Sequence, residues 1–161
     1  MIIVVMGVSG SGKTTIGQLL AKELGWPFYD GDDFHPPANI QKMANDIPLT
    51  DEDRAAWLAA LAQLIHELEG AERSGVIACS ALKQAYRERL QQGTTDVRFV
   101  YLKGSYELIL ARMQARPGHY MKPEMLKSQF EALEEPQGVL VVDISRTTEQ
   151  IVGEIRGKIL D

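Results

Sequence analysis

Eight residues near the start of the chain, Gly7-Val8-Ser9-Gly10-Ser11-Gly12-Lys13-Thr14, have the types and spacing to grip a phosphate. Glycine at 7, 10 and 12 lets the backbone turn tightly and bring its N–H groups close to an anion. A helix that follows directly points its positive end at the same place. Lys13 adds a mobile charge for the β- and γ-phosphates of a nucleotide. The Thr14 hydroxyl can ligate Mg²⁺, and Thr15 completes the nucleotide-binding stretch. A Gly/Ser turn could be a plain connector, but here an apolar run, Ile2-Ile3-Val4-Val5-Met6, precedes it and a helical pattern follows. That is the setting the motif requires.

Phosphoryl transfer also needs a carboxylate for the metal and a group to take a proton. Asp30-Gly31-Asp32-Asp33 follows a short strand-like stretch, Pro27-Phe28-Tyr29. Asp30 comes first after the strand and is assigned to the metal. Asp32, read as the next step along an extended segment, is assigned to the acceptor hydroxyl; the spacing alone leaves the reverse division open. Arg112 and Arg116 stand i, i+4, share a helical face and precede a break at Gly118. Residues 112–122 therefore read as a lid that closes over nucleotide and excludes water. His119 in that segment either contacts phosphate or substrate or packs within the lid. Lys13, Asp32 and Arg116 are the expected catalytic groups, with Arg112 joining Arg116 on the nucleotide. On the acceptor side Ser80, Lys83 and Arg87 follow the third strand, and Arg54 opposes the dipole in the first turn of a helix. These cations suit an anionic or polyhydroxylated acceptor.

The elements that must position these groups alternate. Leu19, Leu20 and Leu24 recur at helical spacing and Gly25 ends that helix. Pro36-Pro37 opens a helix to about Ala44, and Thr50 caps a long one whose stripe is Leu58, Leu61, Ile65 and Leu68. Strands are expected at 76–79, 97–102 and 139–142, with helices at about 83–90, 105–115, from Pro123 to before Pro136, and after Thr147 or Thr148. The strands are unbroken apolar runs, so both faces are covered, which implies a parallel sheet between two helical layers, a three-layer α/β/α fold. Ligands then collect at the carboxyl ends of the strands, where Asp30, Ser80, Lys103 and Asp143 stand.

The 161 residues are read as a single domain, 1–161. The net charge of −5, with no basic block, argues against a nucleic-acid or anionic-membrane partner. The single cysteine, Cys79, forbids an internal disulfide and suits a reducing compartment, hence a cytoplasmic setting. The apolar start is too short to span a membrane and lacks the layout of a signal peptide.

The chain resembles the gluconate kinases, small phosphate-loop enzymes related to the shikimate and nucleoside monophosphate kinases. The likeness is carried by the loop, by Asp30-Gly31-Asp32 with His35-Pro36, and by Asn39-Ile40 with Lys42-Met43. It continues through Asp53-Arg54 with Trp57, Cys79-Ser80-Ala81-Leu82-Lys83 with Tyr86-Arg87, Gly118-His119-Tyr120, Gln129-Phe130-Glu131 and Glu135-Pro136. Ala56 and Asp46 depart from it, standing where the family usually has proline and often glycine. The resemblance implies a five-stranded sheet of order 2-3-1-4-5, ATP and Mg²⁺, and transfer to D-gluconate giving 6-phosphogluconate. It also implies a homodimer, and Asp32, His35, Arg54, Lys83, Arg87 and His119 as acceptor-binding residues.

Overall fold

A computed structural model describes residues 1–116 and 122–160 of the chain. Its centre is β1 (Ile2–Met6), whose five residues are wholly removed from solvent. β1 pairs in parallel with β3 (Gly75–Ala78) on one side and β4 (Val97–Lys103) on the other. β2 (Phe28–Asp30) and β5 (Leu140–Asp143) form the edges, so the order is 2-3-1-4-5, as expected.

The apolar runs are explained by the two faces they serve. Ile3 and Val5 point into one cluster with Ile16 and Leu20 of α1 (Lys13–Leu24), Ile109 of α5 (Tyr106–Ala115), Leu126 of α6 (Pro123–Ala132) and Ile155 of α7 (Thr148–Ile159). Ile2, Val4 and Met6 point into the other, with Trp57, Leu61 and Ile65 of α3 (Asp51–Gly70) and Leu90 of α4 (Gln84–Gln91). Strand side chains alternate between faces, so only a sheet covered on both sides makes every residue of β1 apolar. Each such side chain contributes about 1.5–3 kcal/mol of burial, and a charge at Val4 would sit in the core without a partner. α2 (Pro37–Ala44), with Pro37 in its first turn, stands between β2 and α3 and carries only one buried residue, Asn39.

Helix starts divide into two kinds. α3 and α7 have complete capping boxes, Thr50 with Asp53 and Thr147 with Gln150. α1 has neither a side-chain cap nor an acid in its first turn; Gly12 precedes it at φ 99°. The free N–H groups and positive end of α1 are thus left facing the glycine-rich loop. One local expectation is corrected. Asp30-Gly31-Asp32 is not extended: Asp30 ends β2 and caps a 3₁₀ turn over Gly31–Phe34, its Oδ1 accepting the Asp32 N–H at 3.0 Å. A Cβ on Gly31 would come within 2.5 Å of the Ala78 carbonyl, so the chain must turn there against the end of β3.

Candidate active site

The loop between β1 and α1 is gripped from two sides. Gly10, at φ 79°, lies under α5 so closely that a Cβ would stand 2.6 Å from Cγ of Met113. Ser9 is held by α6: its N–H donates to Gln129 Oε1 at 2.6 Å, and Gln129 Nε2 donates to its hydroxyl at 2.8 Å. Inside the loop the Lys13 ammonium donates to the carbonyls of Gly7 and Val8 at 3.0 and 2.9 Å. Burial lowers its pKa, and Asp32, Cys79 and Asp30 oppose that shift. Val8 and Ser11 are buried, while Thr14 and Thr15 are exposed at the first turn of α1.

From the loop a cleft of about 360 Å³ runs toward α2 and α3. Of the loop, Ser9 and Lys13 line it; opposite them stand Asp32, His35, Arg54, Trp57, Ser80, Lys83 and Tyr86, with Met125 and Ser128 of α6 as a wall. The Asp32 carboxyl is open to this cleft and 3.9 Å from Nε2 of His35, too far for a hydrogen bond. Partial desolvation and then the nearby Asp30 charge raise the Asp32 pKa, against the pull of Lys13 and His35. A carboxylate so tuned holds a proton more readily than a solvated one.

His35 is buried and stacked on Trp57, ring centroids 4.5 Å apart and 11° from parallel. Trp57 Nε1 in turn donates to the Gly31 carbonyl at 2.8 Å, tying α3 to the Asp30–Asp32 turn. The tautomer of His35 follows from its neighbour. Asn39 Nδ2 donates to the Asp53 carbonyl at 2.8 Å, which fixes the orientation of the amide, and the same nitrogen lies 3.2 Å from His35 Nδ1. Nδ1 therefore accepts and Nε2 bears the hydrogen. Burial lowers the pKa of the ring, which favours its neutral form, with the Nε2 hydrogen on the Asp32 side.

Two cations meet at the far end. Arg54 donates to the Leu49 carbonyl at 2.8 Å and to the Tyr86 hydroxyl at 3.4 Å. Lys83 donates to Asp51 at 3.2 Å, and both cations lie 5.7 Å from the Tyr86 ring centre. The Tyr86 hydroxyl donates to Asp51, and this bond, then Lys83, holds the Asp51 carboxyl below its ordinary range. One carboxylate against two cations leaves the corner positive.

Arg87 does not belong to this corner. It is buried and donates to the carbonyls of Ala81 at 2.7 Å and Glu134 at 2.8 Å and to Gln84 Oε1 at 3.2 Å. Lys83 precedes α4 as its N-cap and lines the cleft, while Arg87 lies within the helix and turns inward, so the two cations expected on the acceptor side do not face it together. Arg87 instead binds the segment after α6 to the turn that carries Lys83. Arg112 lies in the last turn of α5, and Arg116 is its exposed C-cap. Gly118 and His119 lie outside the described residues, as does the middle of the expected lid, residues 117–121. Trp57, Asn39, Tyr86 and Gln129 were named only as parts of the resemblance, with no role; closeness in sequence to Arg54, His35 and Lys83 was the available signal for the first three, and Gln129 had none.

Among the described residues no three or more His, Cys, Asp or Glu groups converge as a metal cage. Mg²⁺ needs none, because it keeps waters and takes phosphate oxygens with one or two protein ligands. The Thr14 hydroxyl, exposed at the loop, and the Asp30 carboxyl at the end of β2 are of that chemistry. No helix among the described residues is long and apolar enough to cross a membrane.

A family model described as shikimate kinase matches residues 9–159. The chain is 47% identical over 161 residues to the thermosensitive gluconokinase of Escherichia coli K12, covering 98% of this chain and 86% of that one. It is also similar to the crystal structure of a gluconokinase from Sinorhizobium meliloti 1021, with 44% identity, a TM-score of 0.87, and 94% and 87% of the two chains covered. A shikimate kinase from Aquifex aeolicus is 19% identical with a TM-score of 0.61, covering 99% and 96%, and shares the fold.

Proposed function

The chain belongs to the gluconokinases of the shikimate-kinase group, and we infer from that membership and from its cleft that it transfers the γ-phosphoryl group of ATP to D-gluconate. The observation that carries the residue roles is the single cleft that joins Lys13 and Ser9 of the loop to Asp32, Arg54 and Lys83. Gluconate bears a carboxylate at one end and a primary hydroxyl at the other. With its carboxylate in the positive corner at Arg54 and Lys83, its hydroxyl end is directed toward the loop.

In the transfer the hydroxyl oxygen bonds to phosphorus, the bond from phosphorus to the ADP oxygen breaks, and the hydroxyl proton passes to Asp32. The raised pKa of Asp32 favours that acceptance. Neutral His35 donates from Nε2 and orients either the carboxylate or the acceptor. Lys13 and Arg116 offset charge on the phosphates. Thr14 and Asp30 are assigned to Mg²⁺, which when bound neutralises charge on the phosphate oxygens. His119 remains a candidate for the acceptor. The proposal includes a cytoplasmic setting, supported by the buried reduced Cys79, and a homodimer, supported by the resemblance.

A coupled assay with ATP, Mg²⁺ and a panel of acceptors tests the reading. D-gluconate should give the highest kcat/KM, and shikimate and nucleoside monophosphates should give none. Turnover with either of those in place of gluconate would overturn it.

A further inference from the structure

α6 touches the site at three places. At its start Lys122 bridges to Asp46, between α2 and α3, at 3.1 Å. In its body Gln129 holds Ser9 by both polar groups of that residue. Just past its end the Glu134 N–H donates to the Leu82 carbonyl at 2.8 Å, the Glu134 carboxylate accepts the Gln84 N–H at 2.8 Å, and Arg87 closes on the Glu134 carbonyl. The helix thus spans from the acceptor corner to the phosphate loop.

We propose that Gln129 is a positioning residue for phosphoryl transfer, clamping Ser9 so that the γ-phosphate side of the loop is registered against the acceptor wall. A primary amide suits the task, since it accepts from the N–H and donates to the hydroxyl at once. With its N–H spent on Gln129, Ser9 serves the loop by its shape. Ser9 and Lys13 are the loop residues that face the acceptor cleft, so the phosphoryl group must pass beside Ser9. The N–H groups at the start of α1 would instead take the β-phosphate. Gly10 packed under Met113 fixes the next residue of the same turn, so loss of the clamp frees Ser9 without unseating the whole loop.

The inference rests on the loop as an ATP site, and its first test needs no acceptor. Gln129→Met keeps the side-chain length and removes both hydrogen bonds. Titration with ADP and with a non-hydrolysable ATP analogue, both with Mg²⁺, should show the analogue bound about tenfold more weakly while ADP affinity stays within twofold, one to two hydrogen bonds being worth about that factor. In turnover with gluconate, kcat should fall about tenfold to fiftyfold with KM for gluconate nearly unchanged, and Gln129→Asn should recover part of the loss. Equal weakening of ADP and the analogue, or turnover within twofold of wild type, would overturn the proposal. Should Gln129→Met fail to fold, Ser9→Ala removes one of the two bonds from the loop side. It should weaken the analogue several-fold more than ADP, and equal effects on both would again overturn the proposal. A wild-type enzyme inactive on gluconate would fault the acceptor reading alone, because the nucleotide titrations stand without it.

Discussion

The two ends of the cleft are built in opposite ways. The nucleotide end is one stretch of backbone, Gly7 to Thr14, with an uncapped helix start behind it and one cation folded into it. The acceptor end is a mosaic of side chains from the 3₁₀ turn, α2, α3 and the turn before α4, joined by bonds between residues far apart in sequence. A triphosphate is bulky and highly charged, so peptide N–H groups and a dipole suffice for it. A hydroxy acid must be oriented end to end, which takes a proton acceptor, a neutral donor and a cationic corner at set separations.

That contrast can be broken first at Asp32, where the largest effect is expected. Asp32→Asn should lower kcat by about 10²- to 10⁴-fold, the usual worth of a general base, while ATP·Mg²⁺ still binds. If that variant loses nucleotide binding while Asp30→Asn retains it, the two carboxylates have exchanged roles. Because partial desolvation and Asp30 raise the pKa of Asp32 in the free protein, the acid limb of kcat/KM in the wild type should lie above the ordinary aspartate range. The base form does the work, so activity is lost as pH falls through that raised value; a limb at or below the solution value would remove Asp32 as the base.

Lys13→Met tests the other end. It should cost on the order of 10²-fold in kcat, and it should also weaken ATP, which Asp32→Asn should not. Near-normal turnover of this variant would take the loop lysine out of the catalytic account.

The same contrast explains what could be read from the residues alone. The loop, its strand and its helix follow from spacing, because backbone geometry is written by local glycines and apolar period. The sheet order came with the resemblance, and the apolar runs foretold its covered faces. Thr50 was legible as a cap for the same local reason, and the last cap as Thr147 or Thr148, of which the structure uses Thr147. Arg87 was misread because type and spacing do not say where a guanidinium goes: two backbone carbonyls, one of them 47 residues away, take it into the interior. Gln129, 120 residues from Ser9, carries no local signal of its clamp. The 3₁₀ turn was missed because Asp30 caps it with its own side chain, a choice that an Asp-Gly-Asp stretch leaves open.

A third pair of variants sharpens the acceptor end. Arg54→Gln should raise KM for gluconate about tenfold, one charge-assisted contact, with KM for ATP unchanged. Arg87→Met should leave both KM values within about twofold and instead cost stability of about 3 kcal/mol, since it strands the buried Ala81 carbonyl and the partly buried Glu134 carbonyl. For a chain of this size that is a fall in melting temperature of about 10 °C. A stable Arg87→Met enzyme with a selectively raised gluconate KM would return Arg87 to the acceptor site.

The smallest effect concerns how the mosaic is held. Asp53 joins α2 to α3: its carboxylate takes the Lys42 ammonium at 2.7 Å and the Thr50 N–H at 2.9 Å, while its carbonyl anchors Asn39 and through it His35. Lys42 first, then the Thr50 N–H, depress the Asp53 carboxyl to about 2. A depressed carboxyl contributes stability that is present above its unfolded value near 3.8 and is lost as pH falls through the folded value. Denaturant midpoints of wild type and Asp53→Asn should therefore differ at pH 5 and converge between about pH 4 and pH 2, as the linkage requires. Lys42→Met, which removes the leading cause and keeps the Thr50 box, should narrow the gap at pH 5 without closing it. The loop end has no such carboxylate clamp, so nucleotide affinity measured at pH 5 should be the same in Asp53→Asn as in wild type. A loss of ATP affinity in that variant would mean that the two ends of the cleft are not built separately after all.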